Sequence, residues 1–122
     1  DISLPIERIP EFVNTAQAQL RKVSPDCRLF IFGHFGDGNL HYNVSRPQGA
    51  DKTWAAEWET RIADAVFDEV MAYGGSISAE HGIGQLKRHA FLHHKDPLQL
   101  KLMRQIKQVF DPHGIMNPGK VL

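Results

Sequence analysis

Seven of the ten glycines fall in two short windows, 33–38 and 74–84, and this clustering limits the fold more than any other feature of the chain. Regular elements have to stop at both places, because glycine carries no Cβ and enters turn conformations freely. Around the windows the apolar residues recur at two different periods. Ile9, Phe12, Val13, Ala16, Leu20 and Val23 keep helical spacing, with Pro10 in a first turn that tolerates a missing N–H, so a helix is predicted that ends near Ser24 and Pro25. Residues 29–32 are a continuous apolar run, and Leu40, Tyr42 and Val44 alternate with Asn39, His41, Asn43 and Ser45, which predicts two strands joined by the first glycine window. A second helix starts at Thr53, carries Trp54, Trp58, Ile62, Val66 and Val70 at intervals of four, and is stopped by Gly74 and Gly75. Shorter helices are predicted over about 85–93 and 97–110, the latter with Leu98, Leu102, Ile106 and Val109 as its buried stripe. Residues 2–5 form a short strand closed by Pro5, and the tail 114–120 is turn-rich and too short for an element of its own.

The order strand, helix, strand, strand, helix predicts an α+β fold in which helices pack an antiparallel sheet, a partial ferredoxin-like arrangement whose open edge needs cover. A chain of 122 residues, 42% hydrophobic and 23% charged, fits one domain of the usual ~100–150 residues. No run of about 18 apolar residues marks a membrane span. Fourteen Lys and Arg balance fourteen Asp and Glu, so no basic field is present to attract nucleic acid. The lone Cys27 excludes an internal disulfide framework and a cysteine-rich zinc site, and no signal peptide is visible, which fits a cytoplasmic protein. The chain opens without methionine on Asp1-Ile2-Ser3-Leu4-Pro5, a strand already in progress, so the expectation is a piece of a longer protein.

Each glycine window holds a histidine beside an acidic or amide side chain. In the first, a hairpin register that pairs His34 with His41 also pairs Phe32 with Asn43, with opposed Cβ atoms ~5 Å apart. Two imidazoles on one face can chelate a divalent metal through nitrogens at ~2.0–2.1 Å, and Asn43 on that face can contact a ligand. The plain alternative is a pair of histidines satisfied at a sheet edge. In the second window Glu80 and His81 are adjacent, which suggests a division of labour. One carboxylate joining two histidines makes a three-ligand site with open positions, and the neighbouring histidine is then available as a base. Its plain alternative is a surface pair at a helix start, with Glu80 complementing the macrodipole. Both windows lack the third glycine of a dinucleotide fingerprint and a following Gly-Lys-Ser/Thr, and His-Glu-x-x-His is absent. His89, His93 and His94 have helical spacing but basic neighbours and no acidic partner, and read as a solvated face.

Three segments, G-H-F-G-D-G-N-L-H-Y-N-V at 33–44, S-A-E-H-G-I-G-Q-L-K-R at 78–88 and F-D-P-H-G-I-M-N-P-G-K at 110–120, carry a resemblance to a known family. In order and separation they resemble the C-terminal region of FAD-linked oxidases of the vanillyl-alcohol oxidase superfamily. The branch is that of D-lactate dehydrogenase, the glycolate oxidase flavin subunit and D-2-hydroxyglutarate dehydrogenase. The resemblance implies that residues 1–122 are the C-terminal cap and substrate domain of a flavoenzyme whose FAD-binding domain lies outside this sequence. It also implies that His34, His41 and Glu80 are ligands of a divalent metal, zinc or manganese, and that His81 is the catalytic base. Asn43 would contact a small 2-hydroxy acid, and Asn117 the flavin. Lys87 and Arg88 would either meet a substrate carboxylate or hold their helix against the FAD-binding domain, the structural role being preferred. The implied partners are that domain and the substrate; a homodimer and peripheral membrane association of the parent are compatible with the family. The separate domain is expected to be inactive without its flavin.

Two other functions compete. One is a transferase resembling alkyl-glycerone-phosphate synthase, which uses FAD without net oxidation; Glu80 stands where that branch has a more His-rich motif. The other is a non-catalytic module that binds a metal or a partner through the exposed sheet edge.

Overall fold

In the computed structural model, which describes residues 1–122, strand β1 (Ile2–Ser3) turns Ile2 into the core and leaves Ser3 half-buried, the period of two that a half-buried strand requires. It pairs antiparallel with the start of β3 (Asn39–Ser45), and β2 (Arg28–Phe32) pairs with the rest of β3, giving the sheet order β1-β3-β2. Helices α1 (Ile9–Val23) and α2 (Trp54–Ala72) supply the other layer. These elements lie in the first of two units, residues 1–81; the second is 82–122. The α+β class with an antiparallel sheet is as predicted from the periodicity.

The core of the first unit follows from the two periods. Ile9, Phe12, Ala16 and Leu20 of α1 meet Ile62, Val66 and Val70 of α2 and the inward strand residues Ile2, Leu40 and Tyr42. Trp54 and Trp58 pack partly buried at the start of the α2 stripe. Phe12, without solvent exposure, meets the rings of Tyr42 and Tyr73 edge-on with centroids 5.9 and 5.8 Å away, the geometry that aromatic quadrupoles prefer. Thr15 Oγ1 and the Tyr73 hydroxyl, 2.9 Å apart, tie α1 to the end of α2. The opposite sheet face carries Phe30, Phe32, His41 and Asn43 and has no helix over it within this unit. Part of the β1 edge is covered, because Ser3 and Ser76 exchange backbone hydrogen bonds of 2.9 and 2.8 Å.

The hairpin register departs from the expected one by two residues. Phe32 opposes His41 and Phe30 opposes Asn43, so His34 leaves the ladder altogether. The glycine loop consumes it: the His34 carbonyl accepts from Asp37 N at 2.9 Å and from Asn39 N at 3.2 Å, closing a 3-10 turn over Phe35–Asp37. Asn39 and Leu40 are meanwhile taken up by β1 on the other side of β3. A shift of two keeps every residue on its face, so the outward histidine face survives the change.

The second unit holds α3 (Arg88–His94), α4 (Pro97–Phe110) and the tail. Helix α3 begins three residues later than predicted, since 85–87 form a turn with Lys87 N bonded to the Ile83 carbonyl at 3.2 Å. Its His89 and His93 are exposed and His94 half-buried. Asp96 caps α4 by accepting from Gln99 N at 2.9 Å. The predicted buried stripe of α4 is wrong: Leu98, Leu102, Ile106 and Val109 are 49 to 76% exposed. The inward stripe is Leu100, Met103 and Lys107, at the same helical spacing but rotated around the axis. Lys107 lies on that stripe, its Nζ donating to Asp111 Oδ2 at 2.8 Å and to the Met116 carbonyl at 2.9 Å. Two short helices and a tail offer little surface to cover a second apolar face. No helix in the chain is long and apolar enough to cross a membrane.

Candidate metal and catalytic site

The outward face of β3 is the floor of the site. His41 lies opposite Phe32 on one side, its ring 5.1 Å from the phenyl ring. On the other side the β1 register, Ile2 with Leu40 and Ser3 with Asn39, continued by one residue, brings Asp1 opposite His41. Asn43, two residues further along β3, is exposed on the same face opposite Phe30. Sheet parity alone therefore aligns Asp1, Asn39, His41 and Asn43.

The glycine loop brings His34 back over this floor. Gly38 sits at φ 72°, and a Cβ there would collide with the Leu4 carbonyl oxygen; Leu4 N donates to the Gly38 carbonyl at 2.9 Å, which locks the loop onto β1. His34 lies with its ring 6.5 Å from that of His41. Its Nδ1 is 2.8 Å from Glu80 Oε1, and the amide of the buried Asn39 donates to the same carboxylate oxygen.

Residues 78–81 close the other side. The Asp1 carboxylate accepts from the backbone N–H of Ala79 at 3.1 Å, Glu80 at 3.0 Å and His81 at 3.2 Å, and from Ser78 Oγ at 3.1 Å. With the backbone so held, the adjacent side chains diverge: Glu80 meets His34, and the His81 ring lies 5.7 Å from that of His41. No helix starts at this pair, since α3 begins at Arg88, so a dipole role for Glu80 has no structural basis.

The three residues singled out from sequence as metal ligands, His34, His41 and Glu80, thus share one face with His81 and Asn43. Donor atoms of Asp1, His41 and His81 also lie within 4.8 Å of one another. Of the three expected ligands only His41 belongs to that close set; the Asp1 carboxylate is engaged with the donors of 78–81, and Glu80 Oε1 with His34 Nδ1 and the Asn39 amide. Two nitrogens and one carboxylate oxygen suit zinc or another first-row divalent metal. Asn117 lies in the second unit, at φ 47° in the exposed tail. There the Asp111 carboxylate accepts from Ile115 N at 2.9 Å and Met116 N at 3.0 Å and orders the segment that leads to Asn117. Lys87 is half-buried, and desolvation pulls its ammonium below the ordinary lysine value.

Sequence reasoning missed Asp1 and Asn39 as parts of this arrangement. Asn39 shares the parity of His41 and Asn43, a signal visible in the sequence. Asp1 has the parity of Ser3, but its place beside His41 follows only once β1 is known to pair with β3.

The chain is similar to known proteins over essentially its whole length. The model of the family described as FAD linked oxidases, C-terminal domain, matches residues 1–121. The chain belongs to that family. It is 41% identical over 121 residues to a D-2-hydroxyglutarate dehydrogenase of Stutzerimonas stutzeri (strain A1501), covering 99% of this chain and 26% of the relative. The mitochondrial D-2-hydroxyglutarate dehydrogenase of Arabidopsis thaliana is 39% identical over 122 residues, which are 100% of this chain and 20% of the relative. A D-lactate dehydrogenase of Anaerostipes hadrus is 36% identical over 125 residues, 99% of this chain and 25% of the relative. The chain therefore spans about a quarter or less of the length of these relatives.

Proposed function

We propose that this chain is the substrate-side domain of an FAD-dependent dehydrogenase that oxidises a 2-hydroxy acid, of the D-2-hydroxyglutarate or D-lactate type, to the 2-oxo acid. The observation that carries the reading is the gathering of His34, His41, Glu80 and His81 on one exposed face by three separate segments, in a chain whose relatives are named as such dehydrogenases. His34, His41 and Glu80 would hold a divalent ion. Such an ion would supply Lewis-acid lowering of the substrate α-hydroxyl pKa, and FAD, bound by a domain outside these residues, would supply the hydride acceptor. His81, exposed beside His41, takes the hydroxyl proton. Loss of that proton and of the hydride from C2 removes two electrons and leaves a carbonyl, which balances the oxidation. Asn43, exposed on the same strand face, contacts the substrate, and Asn117 the flavin.

The test uses the full-length protein that carries this chain, with D-2-hydroxyglutarate and D-lactate as substrates. His81→Ala should lower kcat by about 10²–10⁴-fold while the metal remains bound, as expected for loss of a general base. Unchanged turnover in that variant rules out His81 as the base.

A further inference from the structure

We infer that Asp1 is the positioning residue of the site: it holds the backbone of 79–81 so that Glu80 and His81 point to two different places. This rests on the reading of His34, His41 and Glu80 as metal ligands and extends it to a residue outside that set. The Asp1 side chain is only 2% exposed. A carboxylate removed from water costs free energy unless donors replace the lost hydration. Here the three successive amides of Ala79, Glu80 and His81 and the Ser78 hydroxyl all converge on it, the concave anion nest that consecutive N–H groups can form. None of those amides belongs to a helix or a strand, so their order does not come from a ladder.

Fixing two consecutive amides fixes the Cα–Cβ directions between them. Glu80 is sent to His34 and Asn39, and His81 to the side of His41. His81 Nδ1 lies 3.9 Å from Oδ2, an ion-pair separation too long for a hydrogen bond, so the hydrogen bonds Asp1 accepts from 79–81 come from the main chain and not from the ring. Asp1 therefore acts on the ligand and the base through the main chain. Its own place is set by β1, whose register lays it opposite His41. The strand that completes the sheet thus also anchors the second glycine window to the first.

The experiment compares Asp1→Asn, Asp1→Ala, Asp1→Glu and a Glu80→Gln control in the full-length protein, with α1 amide protection and retained flavin as the check on folding. Asp1→Asn, nearly isosteric, serves where the alanine variant fails to fold. Hydrogen exchange at the amides of 79–81 should accelerate about tenfold or more in Asp1→Asn, with α1 unchanged. Zinc or manganese affinity, measured by titration, should fall about 10–100-fold. Saturating metal should recover most of the lost kcat, and Asp1→Glu should restore part of the affinity. Unchanged exchange at 79–81 overturns the inference, as does unchanged metal affinity in Asp1→Asn while Glu80→Gln loses the metal. If Glu80→Gln also keeps the metal, the ligand reading fails instead. Exchange then decides alone: faster amides support Asp1 as the anchor, and unchanged amides remove it.

Discussion

Asp1 in the first unit and Asp111 in the second are both buried, and each gathers backbone N–H groups from a glycine-containing segment, but their surroundings differ. Asp111 is neutralised by an ion pair, with the Lys107 ammonium at 2.8 Å, and two amides complete its shell. Asp1 collects three amides and a hydroxyl, with the His81 imidazole 3.9 Å away. The supporting cores differ as well. Behind Asp1 stands a layer of α1 and α2 built on Phe12, Leu20 and Val70, whereas Leu100 is the buried apolar residue of the second unit. A rigid scaffold under a shaped loop is what a site with fixed donor positions requires, and the first unit supplies it. The second unit has an ordered tail on a thin support, with a broad apolar face of α4 open to solvent within this chain.

The largest contrast should come from the core. Phe12→Ala removes a ring enclosed by Tyr42 and Tyr73 and is expected to cost about 3–5 kcal/mol by chemical denaturation of the full-length protein. A loss below about 1 kcal/mol would remove the distinction between a deep core and a thin one.

Next come opposite responses to pH. Burial pushes the Tyr42 phenol from 10.0 up to about 12, so its contribution is complete below pH 10 and is lost as pH rises toward 12. The hydrogen bond from Lys107 holds the Asp111 carboxyl below its ordinary 3.8, so that contribution is complete above pH 3.8 and is lost as pH falls through the depressed value. Alkali should loosen the first unit and acid the tail of the second, read from amide signals of each against pH. Asp111→Asn should abolish the acid response of the tail alone. Loss of both units at a single pH would show that they share one cooperative core.

The smallest effect is expected on the open face of α4. Ile106→Ala should cost no more than about 0.5 kcal/mol where the side chain faces solvent. A cost of 2 kcal/mol or more, on the scale of about 2–5 for buried isoleucine, would show that residues outside these 122 cover that face.

Periodicity made most of the fold legible. The interval of four in α2 and the alternation in β3 required those elements, and the outward parity of His41 and Asn43 followed directly. What failed was rotation and register. Both faces of α4 carry apolar residues at helical spacing, and the inward one includes Lys107, which is bonded to Asp111, a polar contact that no hydrophobic pattern reveals. The hairpin register depends on the 3-10 turn at 35–37 and on the claim of β1 to Asn39 and Leu40. The site was legible as residue types in two glycine windows. The division between Glu80 and His81 was foreseeable because adjacent side chains diverge, but the carboxylate that holds them apart stands 79 positions away from Glu80 in sequence.

Metal analysis of the full-length protein, wild type against Glu80→Gln and His34→Ala after dialysis against buffer without metal, tests the central claim most directly. With His34, His41 and Glu80 as ligands, the wild type should retain about one divalent ion per chain and both variants should lose it, with FAD still bound in all three. Equal metal content in the three proteins would contradict the assignment.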